Sequence, residues 1–251
     1  MKLEGTGLLF ITILLLGLTA CKNETLSVLK EPVSGMEFVK IKKGRFFMGD
    51  HEKLNDSETL HEVKITYDYW LGKTEVTQAQ WQRIMGDKEP HPQKPSPFRN
   101  VNPDYPIVSV SYFDIKVFLD KLNDLSTEYQ FRLPTEAEWE YACRAGTKTP
   151  YSFGALIYDS LANYNAAIPS KYTTPGTYRG SPEPVGSYPP NQWGLYDMHG
   201  NVSEWTREGV LRGGSYSESA RYNRSASRKH GRQNARPLAE YGFRMVLEYI
   251  D

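Results

Sequence analysis

A long segment without hydrophobic periodicity places the strongest constraint on the fold of this chain. Residues 147–192 are rich in proline, tyrosine, serine and glycine, and their apolar positions follow neither a helical nor a strand repeat. A stretch of this length without regular structure is uncommon inside a compact domain, and it is usually functional or ordered by a ligand. Because aromatic residues make up 13% of the chain, the composition indicates a loop-rich globular protein and not a disordered one.

Three helices are predicted, each from a capping signal followed by an apolar face. Thr77 with Gln80 and Thr135 with Glu138 form capping boxes, in which the side chain of each residue bonds to the backbone of the other. Ser111 is a third N-cap residue, ahead of apolar positions spaced i, i+3, i+4 and i+7. The predicted buried faces consist of Trp81, Ile84 and Met85, of Ile115, Phe118, Leu119 and Leu122, and of Trp139, Ala142 and Cys143.

Short strands are predicted on both sides of these helices. Residues 36–50 alternate apolar and polar positions around a turn at Lys43 and Gly44, which predicts a β-hairpin. Residues 51–62 are mostly polar and acidic, and they are expected to form a solvated loop. Further strands are expected within residues 63–76, 193–216 and 241–249. The predicted fold class is therefore α+β, with few helices, short strands and much irregular structure.

The first twenty residues predict an export signal. Residues 7–20 are fourteen apolar or small residues without a charge, fewer than the roughly 20 that a membrane-spanning helix needs. The small residues just before Cys21 resemble the bacterial lipoprotein signal, in which the cysteine is lipidated and becomes the first residue of the mature protein. An ordinary signal peptide with an unrelated cysteine, or a short membrane helix, is the alternative.

A lipid on Cys21 would tether the protein to a membrane of the cell envelope. Several acyl chains anchor a protein stably, whereas a single chain binds membranes only marginally. No aspartate follows Cys21, which favours the outer membrane over the inner membrane. The predicted organisation is a signal peptide over residues 1–20, a tether over residues 21–34 and a globular domain over residues 35–251.

The charge balance and the cysteine count narrow the classes of function. The chain carries 30 Lys and Arg residues against 30 Asp and Glu residues, so no net charge favours nucleic acid or an acidic partner. Its two cysteines are Cys21 and Cys143, and lipidation of Cys21 would leave no pair for an intrachain disulfide.

An arginine-rich stretch near the C-terminus allows two interpretations. Residues 206–236 carry seven Arg and one Lys against two Glu. The stretch could bind an anionic ligand, such as a lipid phosphate or an acidic glycan, because guanidinium groups match such ligands. The favoured interpretation is that its arginines pair with carboxylates inside the fold. The arginines in question are Arg212, Arg221, Arg224 and Arg228.

Several long and unusual motifs occur together in one order along the chain. They are GxFxMG (44–49), EVT (75–77), PIVxVS (106–111), FRLPTEAEWEYACRAG (131–146), GLYDMxGNVxEW (194–205), LRGGSY (211–216) and GFR (242–244). This series resembles the formylglycine-generating enzyme family, also called sulfatase-modifying factors, over residues 35–249. The resemblance implies that family's variant of the C-type lectin fold, with small antiparallel sheets and abundant irregular structure.

The resemblance also implies a copper site, and this chain lacks its thiols. Enzymes of the family oxidise a sulfatase cysteine to formylglycine with dioxygen and copper(I), which two cysteines hold because soft thiolates select copper(I). Those cysteines would follow the LRGGSY segment, but residues 217–224 contain none, and Glu218 stands where the first is expected. Cys143 cannot substitute, because the helix pattern buries it. Ser215, Glu218 and Trp205 are therefore expected to form a vestigial site without copper.

Calcium is the metal that the resemblance still implies. A family calcium loop uses two carboxylates and two backbone carbonyls, and such hard oxygen ligands suit Ca²⁺. The matching residues are Asp197, Gly200, Val202 and Glu204. The alternative is that the two carboxylates cap turns or pair with arginine. A second and weaker family site would use Asn163 and the carbonyl of Tyr164, with no evident acidic partner near residues 175–181. Either ion would have a structural role.

The predicted function is a non-catalytic, lipid-anchored envelope protein whose domain binds a protein or glycan partner. The lipoprotein signal and the missing thiols motivate this hypothesis. The alternative is an oxidoreductase of the same family, with formylglycine generation or related metal and dioxygen chemistry. The family's iron-dependent C–S bond-forming relatives rely on a helical-bundle domain, and this chain has no HxxxHxE signal for one. A fold alone does not decide between these functions.

Overall fold

Five strands form the central antiparallel sheet of the protein. The computed structural model describes residues 26–50, 58–86, 98, 102–231 and 238–250. In spatial order the strands are β1 (Val28–Lys30), β2 (Glu37–Ile41), β5 (Tyr69–Gly72), β11 (Val246–Tyr249) and β6 (Tyr129–Arg132). Every neighbouring pair is antiparallel. The last strand of the chain therefore lies inside the sheet, between strands from its first and middle parts.

Two smaller sheets accompany the central one. The first pairs β3 (Gly44–Met48) with β4 (His61–Ile65). The second has the order β10 (Tyr241–Gly242), β7 (Ser203–Trp205), β8 (Val210–Arg212) and β9 (Arg228–His230). The β10–β7 pair is parallel, and the other pairs of these two sheets are antiparallel. The predicted α+β class with short, mainly antiparallel sheets is confirmed.

The predicted hairpin over residues 36–50 is wrong. Both strands exist, but β2 pairs with β1 and β5 while β3 pairs with β4. β2 lies between β1 and β5 in the central sheet, where Phe38, Val39 and Ile41 are buried. Neither edge of β2 is therefore left for pairing with β3. Alternation of apolar residues predicts a strand and its faces, but it does not predict the partner strand. The end of the predicted loop at residues 51–62 is also strand, since β4 begins at His61; residues 51–57 lie outside the described part.

All three predicted helices are confirmed. They are α1 (Gln78–Met85), α2 (Tyr112–Leu125) and α3 (Glu136–Arg144). Thr77, Ser111 and Thr135 are the N-caps, and each forms a reciprocal capping box with the residue three positions later. The predicted apolar faces are buried. These helix starts are encoded locally, because each cap uses atoms only three residues apart.

Helices cover both faces of the central sheet. α1 and α2 cover one face, where the rings of Trp81 and Phe118 stack with centroids 5.1 Å apart. α3 covers the other face, where Trp139 packs in a separate hydrophobic cluster. Side chains alternate between the two faces along β2, so Phe38 packs in the cluster under α1 and α2, and Val39 packs in the cluster under α3. The sheet therefore has an apolar core on each side.

The segment between α3 and β7 is ordered without regular structure, as predicted. Residues 147–202 contain no helix and no strand beyond an isolated bridge at Tyr151. The segment has its own core, to which Tyr164 and Tyr172 contribute, and the amide of Ile157 donates to the carbonyl of Tyr172 at 2.9 Å. In this segment, backbone hydrogen bonds between loops satisfy the peptide groups that helices and sheets would otherwise satisfy, and buried tyrosines form the core.

The folded part of the chain begins before the predicted domain boundary. β1 pairs with β2, and the buried carboxylate of Glu31 accepts from the amides of Val33 and Ser34. The predicted tether over residues 21–34 therefore extends too far. The predicted signal peptide and Cys21 lie outside the described residues. Within the part that is described, no helix is both long and apolar enough to cross a bilayer.

Candidate functional site

Two consecutive glycines lead the chain from β8 into the loop where the family's thiols would lie. Gly213 and Gly214 have φ angles of 88° and 71°, in the left-handed region that favours glycine. A Cβ on Gly214 would lie 2.5 Å from Asn223 Oδ1 and 2.7 Å from the carbonyl oxygen of Tyr222. The loop therefore packs closely on the short 3₁₀ helix over Ala220–Asn223, and a side chain at Gly214 would not fit.

A polar cavity of about 400 Å³ lies beside this loop. Its lining residues are Ser203, Leu211, Gly214, Glu218, Tyr222, Ser227, Arg228 and Lys229. Lys229 Nζ lies 3.3 Å from Glu218 Oε1 and 5.5 Å from the ring centroid of Tyr241. Burial raises the pKa of Glu218, and the charge of Lys229 acts in the opposite direction. The lining can therefore bind polar groups through one ion pair and several hydroxyls, but it offers no thiol.

The three residues predicted to form a vestigial site do not meet in this cavity. Glu218 lines it, whereas Ser215 is fully buried with its Oγ 3.1 Å from Ser217 Oγ. Trp205 belongs to the hydrophobic core, and its indole Nε1 donates to the carbonyl of Val110 at 3.1 Å. The structure adds Ser203, Tyr222 and Lys229 to the site. Sequence reasoning missed these side chains because no motif marks them.

Cys143 is fully buried, as predicted from the helix pattern. Its sulfur lies 3.7 Å from His199 Nε2 and 3.6 Å from Ser225 Oγ. Burial raises the pKa of Cys143 to about 12, so the group stays a thiol at neutral pH. His199 is also buried and bonds the carbonyl of Asn223 and the hydroxyl of Ser152. The polar groups of Cys143 and His199 therefore have hydrogen-bonding partners inside the core.

Cys143 is therefore expected to resist thiol reagents in the native protein. In a Cys21→Ser variant, where Cys143 is the one remaining cysteine, labelling by a maleimide should be negligible until the protein unfolds, because the reactive thiolate is both buried and disfavoured. Mass spectrometry before and after addition of a denaturant measures this. The denatured sample is the positive control, and full labelling of the native protein within minutes would contradict the buried position.

Glu204, one of the predicted calcium ligands, is already bonded through both carboxylate oxygens. Arg244 donates from Nε to Oε2 at 2.6 Å and from Nη2 to Oε1 at 2.7 Å. Trp139 Nε1 also donates to Oε2, at 2.7 Å. Arg244 and Glu204 are both fully buried, so this pair holds β7 against the segment between β10 and β11. The alternative in which Glu204 pairs with arginine is what the structure contains.

Asp197, which is partly exposed, lies beside the buried carboxylate of Glu75. Its Oδ2 accepts from the amide of Gly186 at 2.6 Å, and its φ of 56° places it in the left-handed region. Burial raises the pKa of Asp197 to about 6. Burial, and next the charge of Asp197, raise the pKa of Glu75 well above its ordinary value. Gly200, also predicted as a ligand, turns the chain with a φ of 107° next to the carbonyl of Asn163.

The two residues of the weaker predicted calcium site take part in the packing of the irregular segment. Asn163 Nδ2 donates to the carbonyl of Ser181 and to Asn201 Oδ1, and Asn163 Oδ1 is buried without a partner. The carbonyl of Tyr164 accepts from the amide of Ala166. Across the described ranges, no group of three or more His, Cys, Asp and Glu side chains has the arrangement of a metal site. Both calcium sites, including the Val202 carbonyl, stay predictions.

Three arginines of the arginine-rich stretch pair with carboxylates inside the fold, and residues 232–236 of this stretch lie outside the described part. Arg212 bonds Glu140 and lies 3.7 Å from Glu136, which also pairs with Arg228 at 2.6 Å. The other internal pairs are those of Arg224 with Asp50 at 2.6 Å and with Glu58 at 2.7 Å. Arg221 instead lies over the ring of Tyr222, at 5.7 Å from its centroid. Internal pairing is therefore confirmed for Arg212, Arg224 and Arg228.

Comparison with known proteins identifies the family to which this fold and these motifs belong. Residues 25–249 match the family model described as the sulfatase-modifying factor enzyme 1-like domain. The chain belongs to this family. It is similar to the formylglycine-generating enzyme of Bos taurus, with 30% identity over 70% of this chain and 46% of that protein. It is also similar to the chaperone protein LppX of Paenibacillus barcinonensis, with 32% identity over 56% of this chain and 62% of that protein.

A solved structure shares the fold over most of its length. PvdO from Pseudomonas aeruginosa superposes with a TM-score of 0.72 and 26% identity, covering 88% of this chain and 98% of that chain. By contrast, the chain spans only about half the length of the curated formylglycine-generating enzymes that it matches. The family is thus established across the domain, while the activities of those longer relatives do not transfer with it.

Proposed function

We propose that this protein is a lipid-anchored envelope protein whose sulfatase-modifying-factor-like domain binds a partner and does not generate formylglycine. The observation that carries the proposal is the position of Glu218. It lies in the cavity that follows the LRGGSY segment, where the resemblance places a copper-binding thiol, and it is paired with Lys229. An ion pair of hard groups does not replace the two soft thiolates that copper(I) requires.

The rest of the loop supports a binding role in the same way. Residues 215–224 contain no cysteine, and Cys143 is enclosed in the core with its thiol protonated. The relative named as a chaperone supports an interaction with another protein, whereas the relatives named as formylglycine-generating enzymes favour the oxidoreductase alternative. The absence of both candidate thiols outweighs those names, because the chemistry depends on the site and not on the fold.

The irregular segment offers apolar side chains for a partner. Phe153, Leu156, Tyr158, Ile168 and Tyr178 are each about two-fifths exposed, and all belong to residues 147–192. Aromatic side chains contribute strongly to binding interfaces, so these exposed residues are the proposed contacts for a protein or glycan partner in the envelope. A pull-down with the lipidated protein from detergent-solubilised envelope would identify the partner; nucleic acid is not expected among the bound material.

A direct assay distinguishes the proposed function from the oxidoreductase alternative. The purified protein, supplied with copper(I), oxygen and a peptide containing CxPxR, is expected to produce no aldehyde, because it has no thiol pair to hold the metal. Mass spectrometry of the peptide measures the conversion. The bovine enzyme serves as the positive control, and aldehyde formation by this protein would refute the proposal.

Membrane attachment is expected to depend on Cys21. In the Cys21→Ser variant the protein should move from the membrane fraction to the soluble fraction, because the acyl chains that supply the binding energy are absent. Fractionation followed by blotting measures the distribution, and the wild-type protein should additionally carry an acyl mass on its first residue. A Cys143→Ser variant is the matched control and should stay with the membrane. Unchanged membrane association of Cys21→Ser would show that the lipid is not the anchor.

A further inference from the structure

The first described residue, Leu26, lies close in the chain to the proposed lipid. Cys21 is only five positions earlier, so even a fully extended chain spans at most about 18 Å between the two residues. Leu26 packs against the domain, because its Cδ1 lies 2.9 Å from the place that a Cβ on Gly194 would take. A lipid on Cys21 would therefore hold this point of the domain within about 18 Å of the bilayer surface.

This distance is short compared with the size of the domain. A compact domain of this length has a radius of gyration of roughly 17 Å, so its full width is more than twice the length of the tether. The far side of the domain therefore cannot reach the bilayer. The surface around Leu26 is the one that a lipid on Cys21 would bring to the membrane.

Exposed lysines lie at this end of the central sheet. The amide of Lys40 donates to the carbonyl of Ser27 at 3.0 Å, so β2 runs alongside the entry of the tether. Lys42 and Lys43 follow within about 10 Å of chain at the rise of a strand, and both are exposed. Asp68 lies 3.3 Å from Lys40 Nζ and accepts from the amide of Lys43, so this turn is held in place.

The small β3–β4 sheet, which this turn leads into, adds further cations and an aromatic side chain. Its inner face packs on α3, where the ring of Phe46 lies 5.2 Å from that of a helix tyrosine. Its outer face carries two cross-strand pairs, Arg45 with Lys64 and Phe47 with Glu62. All four of these side chains are exposed. The outer face therefore presents positive charge around one solvated phenyl ring.

We call the outer face of this sheet, together with Lys40 and the turn at Lys42 and Lys43, the docking face. Its five cations stand against two carboxylates, those of Glu62 and Asp68, so its named residues have a formal charge of +3. Clusters of Lys and Arg beside a membrane anchor bind anionic lipid headgroups, and apolar side chains among them enter the interface. The charge and the aromatic ring of the docking face fit such a surface.

We propose that the docking face lies against anionic phospholipid headgroups, with the ring of Phe47 in the interface. This inference rests on the lipid anchor of the proposed function, because the tether makes the contact intramolecular. Docking would fix the orientation of the domain. α2 covers the opposite face of the central sheet from α3, so it would point away from the bilayer.

A fluorescent label at two positions of the lipidated protein tests this orientation. In Glu62→Cys the new thiol is the reactive one, because Cys21 carries the lipid and Cys143 is buried with a pKa of about 12. Phe113→Cys places the same label on an exposed position of α2. The protein is reconstituted in vesicles of phosphatidylethanolamine and phosphatidylglycerol with nitroxide-labelled headgroups, which quench nearby fluorophores. The label at position 62 should be quenched and the label at position 113 should not.

The dependence on charge identifies the interaction. Raising the salt from 0.1 M to 1 M shortens the Debye length from about 10 Å to about 3 Å, so quenching at position 62 should fall. Vesicles of phosphatidylcholine alone should also lower it.

Substitutions within the Glu62→Cys protein test the docking face directly. Lys43→Gln and Phe47→Ala should each lower the ratio of docked to undocked protein by about fivefold, through loss of one headgroup contact or of one apolar contact. Lys116→Gln, which removes an exposed lysine from α2, is the matched control and should leave the ratio unchanged. These side chains are all exposed, so the thermal unfolding midpoint should stay the same.

Three outcomes would overturn the proposal. Equal quenching at positions 62 and 113, in protein that carries an acyl mass on Cys21, would show that the anchor exists but that the domain does not rest on this face. Quenching at position 62 that is unchanged in phosphatidylcholine vesicles would mean that the tether alone holds the label near the bilayer. Absence of the acyl mass would refute the anchor of the proposed function, and docking with it.

Discussion

The Arg244→Met variant is expected to lose about 3–5 kcal/mol of the free energy of unfolding, because it leaves the buried carboxylate of Glu204 without its cation. Both residues are fully buried, and Arg244 also donates to the carbonyls of Gly72 and Tyr196. Since domains are stable by about 5–15 kcal/mol in total, this loss removes a large share of the stability. Urea unfolding followed by tryptophan fluorescence measures it.

The matched control for Arg244 is an arginine in an exposed pair. Arg45 Nη1 lies 3.8 Å from Glu62 Oε1 on the small β3–β4 sheet, where both side chains are solvated. Arg45→Met should change the free energy of unfolding by no more than about 0.5 kcal/mol. A loss below about 1 kcal/mol for Arg244→Met would mean that water or a rearranged side chain compensates Glu204, and that the buried pair is not a main determinant of stability.

Trp139→Ala is the second substitution with a large expected effect, about 3–5 kcal/mol of the free energy of unfolding. The side chain is fully buried in the cluster between α3 and the central sheet, its indole donates to Glu204, and Arg212 lies over its ring at 5.5 Å. Truncation creates a cavity and removes a donor from a buried carboxylate. Chemical denaturation monitored by circular dichroism measures the loss.

A graded series separates the two causes at Trp139. Trp139→Phe fills most of the volume but has no N–H, so its expected loss is about 1–3 kcal/mol. Phe47→Ala, which truncates a half-exposed aromatic on β3, should cost no more than about 0.5 kcal/mol. Because Trp139 and Arg244 both bond Glu204, their combined effect should differ from the sum of the single effects. Equal losses for Ala and Phe at position 139 would contradict the cavity argument.

Part of the candidate site could be predicted from motifs, but its chemistry could not. Glu75, Arg244 and Glu204 each stand in a motif that carries the family resemblance, but no sequence pattern links the three residues. The carboxylate with which Arg244 pairs is decided by distances in the folded protein. The partners are 40 residues apart in the case of Glu204 and Arg244, and 126 residues apart in the case of Glu75 and Asn201.

The same limit applies to the cavity beside the LRGGSY loop. The loss of cysteines after this segment is visible in the sequence, and it predicts the absence of the copper site. The neighbours of Glu218 were not visible, because Ser203 comes from β7 and Lys229 from β9. Trp205 was expected beside Glu218, yet the strand that carries it turns its indole into the hydrophobic core.

Sequence by itself determined the features whose causes are local. The three helix starts, the buried position of Cys143 and the irregular segment after α3 follow from capping within three residues, helical periodicity and composition. Tertiary structure alone decided which strand β2 pairs with, which carboxylates the arginines Arg212, Arg224 and Arg244 neutralise, and that Glu75 lies beside Asp197. Strand pairing and buried charge pairing depend on groups that the chain brings together only after it folds, so no local pattern encodes them.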